Sequence, residues 1–253
     1  MTRESAKSGI CRLCGKHGEL CHSHIIPEFC HSACYEGPKK QAILVHFSEE
    51  NKSVKPLKVQ VGRREFLLCN KCETIISKYE GWFRKYWYGP AGLPQQVHTS
   101  PLILECPDID IFRLFHLSVL LRASLSGKFF RAVSLGDHYE AILAKSVLTG
   151  KVPPHSHFPI MGCVLVDDKG YVMHHLIVGA IRGIHPNNRT RAYHLTYAGC
   201  EWVFVVTDHP SREDAVVAET ISPTGKIMLS VSHHRESMTG HNFITQFRKA
   251  RWR

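Results

Sequence analysis

Cys11-Arg12-Leu13-Cys14-Gly15 and, further along, Leu67-Leu68-Cys69-Asn70-Lys71-Cys72-Glu73 are the stretches that decide how the first third of this chain folds. Each spaces two thiols by two residues, which lets both sulfurs of a pair reach one metal ion. In the first, Gly15 follows the second cysteine and lets the backbone turn so that its amides face the sulfurs. The second stands where a helix begins. From Asn70 onward, Cys72, Ile76, Tyr79, Phe83 and Tyr86 recur at three- and four-residue steps and lay down one apolar stripe, which Gly89-Pro90 ends. Free N–H groups and the positive end of the helix dipole stabilise thiolate charge at such a start. A turn pair and a helix-start pair make a closed four-thiolate site with no position left for substrate. The expectation is therefore a structural Zn2+ held by Cys11, Cys14, Cys69 and Cys72, in the arrangement called a treble clef. Two chance pairs, or a redox dithiol, are the competing explanations. A dithiol needs only one pair and no glycine turn.

Working outward, the chain has 253 residues and ten cysteines. Met1 to Gly9 hold no apolar stretch of secretory-signal length, so the thiols are expected to stay reduced and the protein to be cytoplasmic. Cys21, Cys30, Cys34, Cys106, Cys163 and Cys200 show no paired pattern and read as free buried thiols. Lys+Arg 32 against Asp+Glu 22 gives +10, a balance that suits a polyanionic partner, although a merely soluble basic protein has the same balance. The most apolar helical stretch, Ile111 to Leu125, is interrupted by Arg113, His116 and Arg122, so no membrane span is expected.

Pro90, Gly92, Pro94, Pro101 and Pro107 crowd a boundary between two parts. The fold class expected is α+β: residues 1–100 as a four-cysteine zinc module and residues 101–253 as a larger α+β domain. In the first part, strands are expected at Glu19 to Ile26, Ala42 to Phe47 and Leu57 to Val61. In the second, Asp110 to Ser124 reads as a buried helix. Asp137 with Glu140 resembles a capping box opening a helix that ends at Gly150. Ile160 to Val166 and Tyr171 to Val178 flank the turn Asp167-Asp168-Lys169-Gly170 as a hairpin. Ala192 to Thr196 and Trp202 to Thr207 form a second pair, and Lys226 to Val231 one strand more.

Between the cysteine pairs lies Leu20-Cys21-His22-Ser23-His24-Ile25-Ile26-Pro27. With the flanking pairs, it resembles the HNH endonuclease family and its ββα-metal core over about residues 10 to 88. In that family a cysteine turn precedes a strand with Asp-His-x-x-Pro, and a second strand and a helix opening with Cys-x-x-Cys-His follow. The resemblance implies hydrolysis of DNA phosphodiester bonds, RNA not being excluded, with His24 as general base. It also implies a divalent cation, Mg2+ or Mn2+, to stabilise charge at the scissile phosphate. Here Ser23 and Glu73 stand where the family has its cation-binding Asp and His, and Arg64 falls near its central Asn. Glu73 suits a hard cation, with His22, Glu28 and Glu80 as further candidate ligands. Proteins of this resemblance often serve in restriction, mobile elements or defence against phage, which implies a homodimer or a defence-system protein as partner.

Arg63 and Arg64 precede the second cysteine pair and are candidates to grip a nucleic-acid backbone. In Trp82-Phe83-Arg84-Lys85-Tyr86-Trp87-Tyr88, Arg84 and Lys85 are candidates for phosphate, while the rings read better as an inward-packing helix face. The basic tail Phe247 to Arg253 adds non-specific affinity or is a solvated end. His155 with His157, His174-His175 and His233-His234 read as surface or core histidines, since adjacent strand residues face opposite ways. Two other functions compete: a catalytically inactive nucleic-acid-binding zinc module, and an interaction protein whose second part carries the function.

Overall fold

The computed structural model describes residues 7–35, 42–44, 57–59, 62–154, 157–184, 191–207, 221 and 224–237. His155, the tail from Phe247 and the outer ends of the strands expected at 42–47 and 57–61 lie outside these residues. The chain is a mixed α+β protein. Strand β1 (Lys7–Ile10) turns through the first cysteine pair into β2 (His17–His24). Helix α1 (Glu28–His31) follows Pro27, and β3 (Ala42–Leu44) and β4 (Leu57–Val59) pair with each other. Then β5 (Arg64–Cys69) runs directly into α2 (Asn70–Trp87). The first sheet has the order β1-β2-β5, all antiparallel.

One irregularity shapes this sheet. Cys21 faces Leu68 but His22 faces Phe66, so Leu67 is an extra residue on β5. The bulge frees backbone groups that find other partners. The Leu67 carbonyl accepts from the Arg12 amide at 3.0 Å, which ties the first cysteine turn to β5. The Leu68 amide donates to Ser23 Oγ at 3.3 Å. Leu67 and Leu68 are consequently both buried, against strict alternation.

After β6 (Leu102–Glu105) come α3 (Ile109–Leu125) and α4 (Asp137–Thr149). They are followed by β7 (Ile160–Val166), β8 (Val178–Ile184), β9 (Arg191–Tyr197), β10 (Cys200–Val205) and β11 (Lys226–His233). The second sheet has the order β6-β11-β7-β10-β9-β8, with β11 parallel to β7 and its other pairs antiparallel. The hairpin expected after β7 does not form as a strand pair. The Asp167–Gly170 turn is present, but the return is short: Val172 bridges Val166, the Met173 amide donates to the Leu165 carbonyl at 2.8 Å, and Tyr171 bridges Gln96. The chain then leaves, and β8 pairs with β9 instead. The capping box is also absent: Gly136 caps α4, and Glu140 accepts from Ser124 Oγ at 2.6 Å. Gly150 does end the helix, at φ 70°.

The stripe on α2 is buried as its spacing implies, with Cys72, Ile76, Tyr79, Phe83 and Tyr86 all inside. It packs on α3, where Phe83 stacks on Phe115 with centroids 3.7 Å apart. Trp87 donates to the Ala198 carbonyl at 2.9 Å, and Tyr79 to the Val147 carbonyl at 2.8 Å. One hydrophobic core thus runs from Cys11 to Leu229 through both parts of the chain. The three polar residues that interrupt α3 are buried and bonded. Arg113 donates to the carbonyls of Pro153, Pro154 and His157, His116 Nδ1 meets the Tyr197 hydroxyl at 2.6 Å, and Arg122 reaches into the first part. Among the described residues, no helix is long and apolar enough to cross a membrane.

Candidate functional site

The bulge, the glycine turn and the start of α2 bring four sulfurs together. Gly15 adopts φ 71°, and its amide closes the turn on the Cys11 carbonyl at 2.9 Å. Cys69 is the N-cap of α2, so Cys72 lies in its first turn, where amides are free. The donor atoms of Cys11, Cys14, Cys69 and Cys72 all lie within 4.8 Å of one another. Cys11 and Cys72 sulfurs are 3.7 Å apart, and those of Cys14 and Cys69 3.8 Å. Four sulfurs at about 2.3 Å from a central ion, in a tetrahedron, stand about 3.8 Å from each other. That match, and the absence of a disulfide at these positions, makes the cluster a site able to hold a metal ion such as zinc.

The thiols themselves fit that role. Burial raises the Cys11 pKa, but amide hydrogen bonds from Cys14, Cys69 and Leu13 outweigh it and bring the value down to about 7. Cys72 is pushed far up by burial and by its three sulfur neighbours. One thiolate forms readily and the rest crowd it, an imbalance that a dication relieves.

At the far end of β2, His24 lies opposite Arg64. Its Nε2 stands 2.8 Å from Glu28 Oε2, so the carboxylate four residues on is set directly against the ring. Glu28 in turn accepts a hydrogen bond from the Tyr35 hydroxyl. Arg122, buried on α3, donates to the His24 carbonyl at 2.7 Å and pairs with Glu80 at 2.8 Å. Burial pulls the His24 pKa down to about 4; Glu28 opposes this, and Arg64, His31 and Arg122 add to it. His24 is thus a neutral imidazole at pH 7, with a carboxylate at one nitrogen and 24% of its side chain in solvent.

The other expected site residues fall elsewhere. Ser23 is buried; its hydroxyl accepts from Leu68 and donates to the Cys21 carbonyl, so it fills the bulge. Glu73 sits beside Cys21, whose thiol it raises after burial does. Glu28, rather than Glu73, is the carboxylate set against His24. Glu80 is taken by Arg122, and His22 stacks on Phe66 at 4.7 Å. Among the described residues, the four cysteines are the only group of three or more ligand residues gathered closely enough for one ion.

Arg64 pairs opposite His24 at the start of β5, the Arg63 carbonyl just before it accepts from the Ile25 amide, and Arg64 Nε is buried with no hydrogen-bond partner. Arg84 and Lys85 are exposed on α2, while Phe83, Tyr86 and Trp87 between and beside them are in the core. The sequence did not single out Tyr35, Glu65 or Arg122 as parts of this site. Only Glu28 carried a local signal, four residues past His24 across Pro27. The His233 and His234 rings lie 4.4 Å apart but bond to different partners: His233 meets Asp168 at 2.9 Å, while His234 Nδ1 meets the Val166 carbonyl at 3.2 Å.

No protein-family model matches the chain, and no curated protein or solved structure matches it either.

Proposed function

We propose that this chain is an endonuclease that hydrolyses phosphodiester bonds in DNA, built on an HNH-like treble-clef module with a structural zinc. The observation that carries it is His24: a neutral imidazole, partly open to solvent, beside Glu28 and among Arg63, Arg64 and Arg122. Zinc on Cys11, Cys14, Cys69 and Cys72 supplies a fixed crosslink between the first turn and α2, and takes no part in the reaction. His24 accepts a proton from water as its oxygen bonds to phosphorus, the P–O bond to the leaving strand breaks, and that oxygen takes a proton from solvent; Glu28 stabilises the imidazolium meanwhile. Arg63 and Arg64 face the phosphate charge. Arg122 holds the His24 backbone and so fixes the direction of the ring. Phage defence or restriction is the setting proposed for such an activity, by fold-level analogy.

A second reading has its own support. Ser23 is sealed in the sheet and Glu73 lies beside Cys21, so two positions of the HNH pattern do not face His24. This favours a zinc module that binds nucleic acid without cutting it. The two are separated by nicking of supercoiled plasmid with magnesium, with manganese and with brief chelation, zinc content being measured in each arm. Wild type, Glu28→Gln and Glu73→Ala are compared. Nicking that falls in Glu28→Gln and persists in Glu73→Ala supports a site built on His24 and Glu28. A wild type that shifts DNA on a gel yet cuts none under any condition overturns the enzyme in favour of the binding module.

A further inference from the structure

The loop after α3, Ser126-Gly127-Lys128-Phe129-Phe130-Arg131, comes from the second part of the chain but is fastened beside His24. Glu65, next to Arg64 on β5, accepts from Ser126 Oγ at 2.9 Å and from the Gly127 amide at 3.4 Å. Arg63, whose carbonyl accepts from the Ile25 amide, donates through Nη1 to the Phe129 carbonyl at 3.3 Å. Its guanidinium also lies over the Phe129 ring, 5.4 Å from the centroid. The loop is anchored at its other end too: Phe130, Val133 and Leu135 are buried, and the Phe129 amide donates to Ser126 Oγ at 3.2 Å. Exposed on that platform are Lys128, Phe129, at 37% of its residue surface, and Arg131.

Phe129 is left partly in water between two exposed cations, with Arg63 against one side of its ring. That arrangement suits one occupant. We infer that this loop is a docking lip for a single-stranded stretch of nucleic acid, with Phe129 stacking an unpaired base and Lys128 and Arg131 contacting the flanking phosphates. Arg63 covers one side of the ring, which leaves the other for the base, and every base offers a π-face to it. The net charge of +10 and the neighbouring Arg63 and Arg64 complement the polyanion. The inference rests on the nucleic-acid reading of the His24 site and adds its substrate class: strands that are open or unstacked at the point of attack.

The test uses the full chain and a fluorescein-labelled mixed-sequence oligonucleotide, single-stranded or annealed, read by anisotropy across a salt series. It is run in a His24→Ala background so that no probe is cut. Phe129→Ala is expected to weaken single-strand binding about tenfold and duplex binding far less, and Phe129→Trp to restore it. Lys128→Ala with Arg131→Ala is expected to lower the salt slope for single strands by roughly 1.4, about 0.7 for each phosphate no longer neutralised. Zinc content stays at the parent value and unfolding stays cooperative, with only a small fall in thermal midpoint where Phe129→Ala loses the Arg63 contact, and these report an intact fold. The inference is overturned if Phe129→Ala leaves single-strand affinity unchanged, or weakens duplex equally, or if the salt slope does not move. If wild type nicks plasmid while these variants bind normally, only the lip fails; if neither wild type nor the His24→Ala parent binds nucleic acid, the proposed function fails with it.

Discussion

Replacing Arg122 with methionine perturbs the one buried cation that links α3, α2 and the His24 strand. Arg122 is 2% exposed; it pairs with Glu80 at 2.8 Å and donates to the carbonyls of His24 at 2.7 Å and Ser118 at 3.3 Å. Methionine keeps the length and the apolar stem but leaves Glu80 as an uncompensated carboxylate, 22% exposed, and the His24 carbonyl without its donor. Breaking a buried pair from one side costs about 3–5 kcal/mol. Removing the facing charge as well, in Arg122→Met with Glu80→Gln, is expected to recover about 1–3 kcal/mol of that loss, because no lone charge remains. Urea unfolding with zinc in excess measures both, with a constant slope showing that the same surface is exposed. If Arg122→Met costs less than about 1 kcal/mol, the value of an exposed pair, the network is not what holds His24. Strict additivity of the two variants contradicts it equally.

Three further outcomes follow from the same geometry. Purified protein is expected to hold about one zinc per chain, and cobalt in its place to show thiolate charge-transfer absorption. Cys14→Ser or Cys69→Ser abolishes that band and loosens the β1-β2-β5 sheet, whereas Cys163→Ser leaves it unchanged. Burial holds both His24 and His116 neutral, with the folded pKa below the ordinary 6.5. The unfolded chain then binds more protons, so their contribution is fully present above pH 6.5 and is lost as pH falls below it, for His24 down to about 4. His24 accounts for at most about 3 kcal/mol of this, and His24→Gln flattens the decline measured by denaturant titration at each pH. Gly162→Ala puts a methyl 2.5 Å from Leu229 Cδ2 and 2.7 Å from Trp202 Cζ3, inside the core of the second sheet. It is expected to cost about 1–3 kcal/mol by the same unfolding assay, and a neutral result contradicts the tight packing.

Much of this was legible in the residues because local rules and tertiary demands coincide. The α2 stripe, its stop at Gly89-Pro90 and the Gly15 turn all follow from spacing and backbone freedom. The buried helix α3 was legible as well, but its three polar residues read as interruptions, because their partners lie far away in sequence. Arg122 meets His24, and His116 meets Tyr197. Long-range pairing was not legible. A good turn at Asp167–Gly170 implies a hairpin, yet β7 is flanked by β10 and β11, and the returning chain touches the end of β7 only briefly, at Tyr171, Val172 and Met173, before β8 pairs with β9. Strand β6 lies in the Pro-rich boundary and has only Leu102–Glu105 to announce it. At the site, spacing identifies the four cysteines, but Ser23 turns inward because a bulge at Leu67 needs its hydroxyl. The Lys128–Arg131 lip carries no local signal, because Glu65 and Arg63, some sixty residues earlier, are what bring it to His24.

The most direct test is the nicking of supercoiled plasmid by wild type beside His24→Ala, at pH 7.5 and matched zinc content. The account predicts that wild type converts supercoiled plasmid to the open circle, and that His24→Ala, though folded and still binding DNA, loses at least about a hundredfold in rate, the size of a general-base contribution. Equal nicking by both proteins would contradict it.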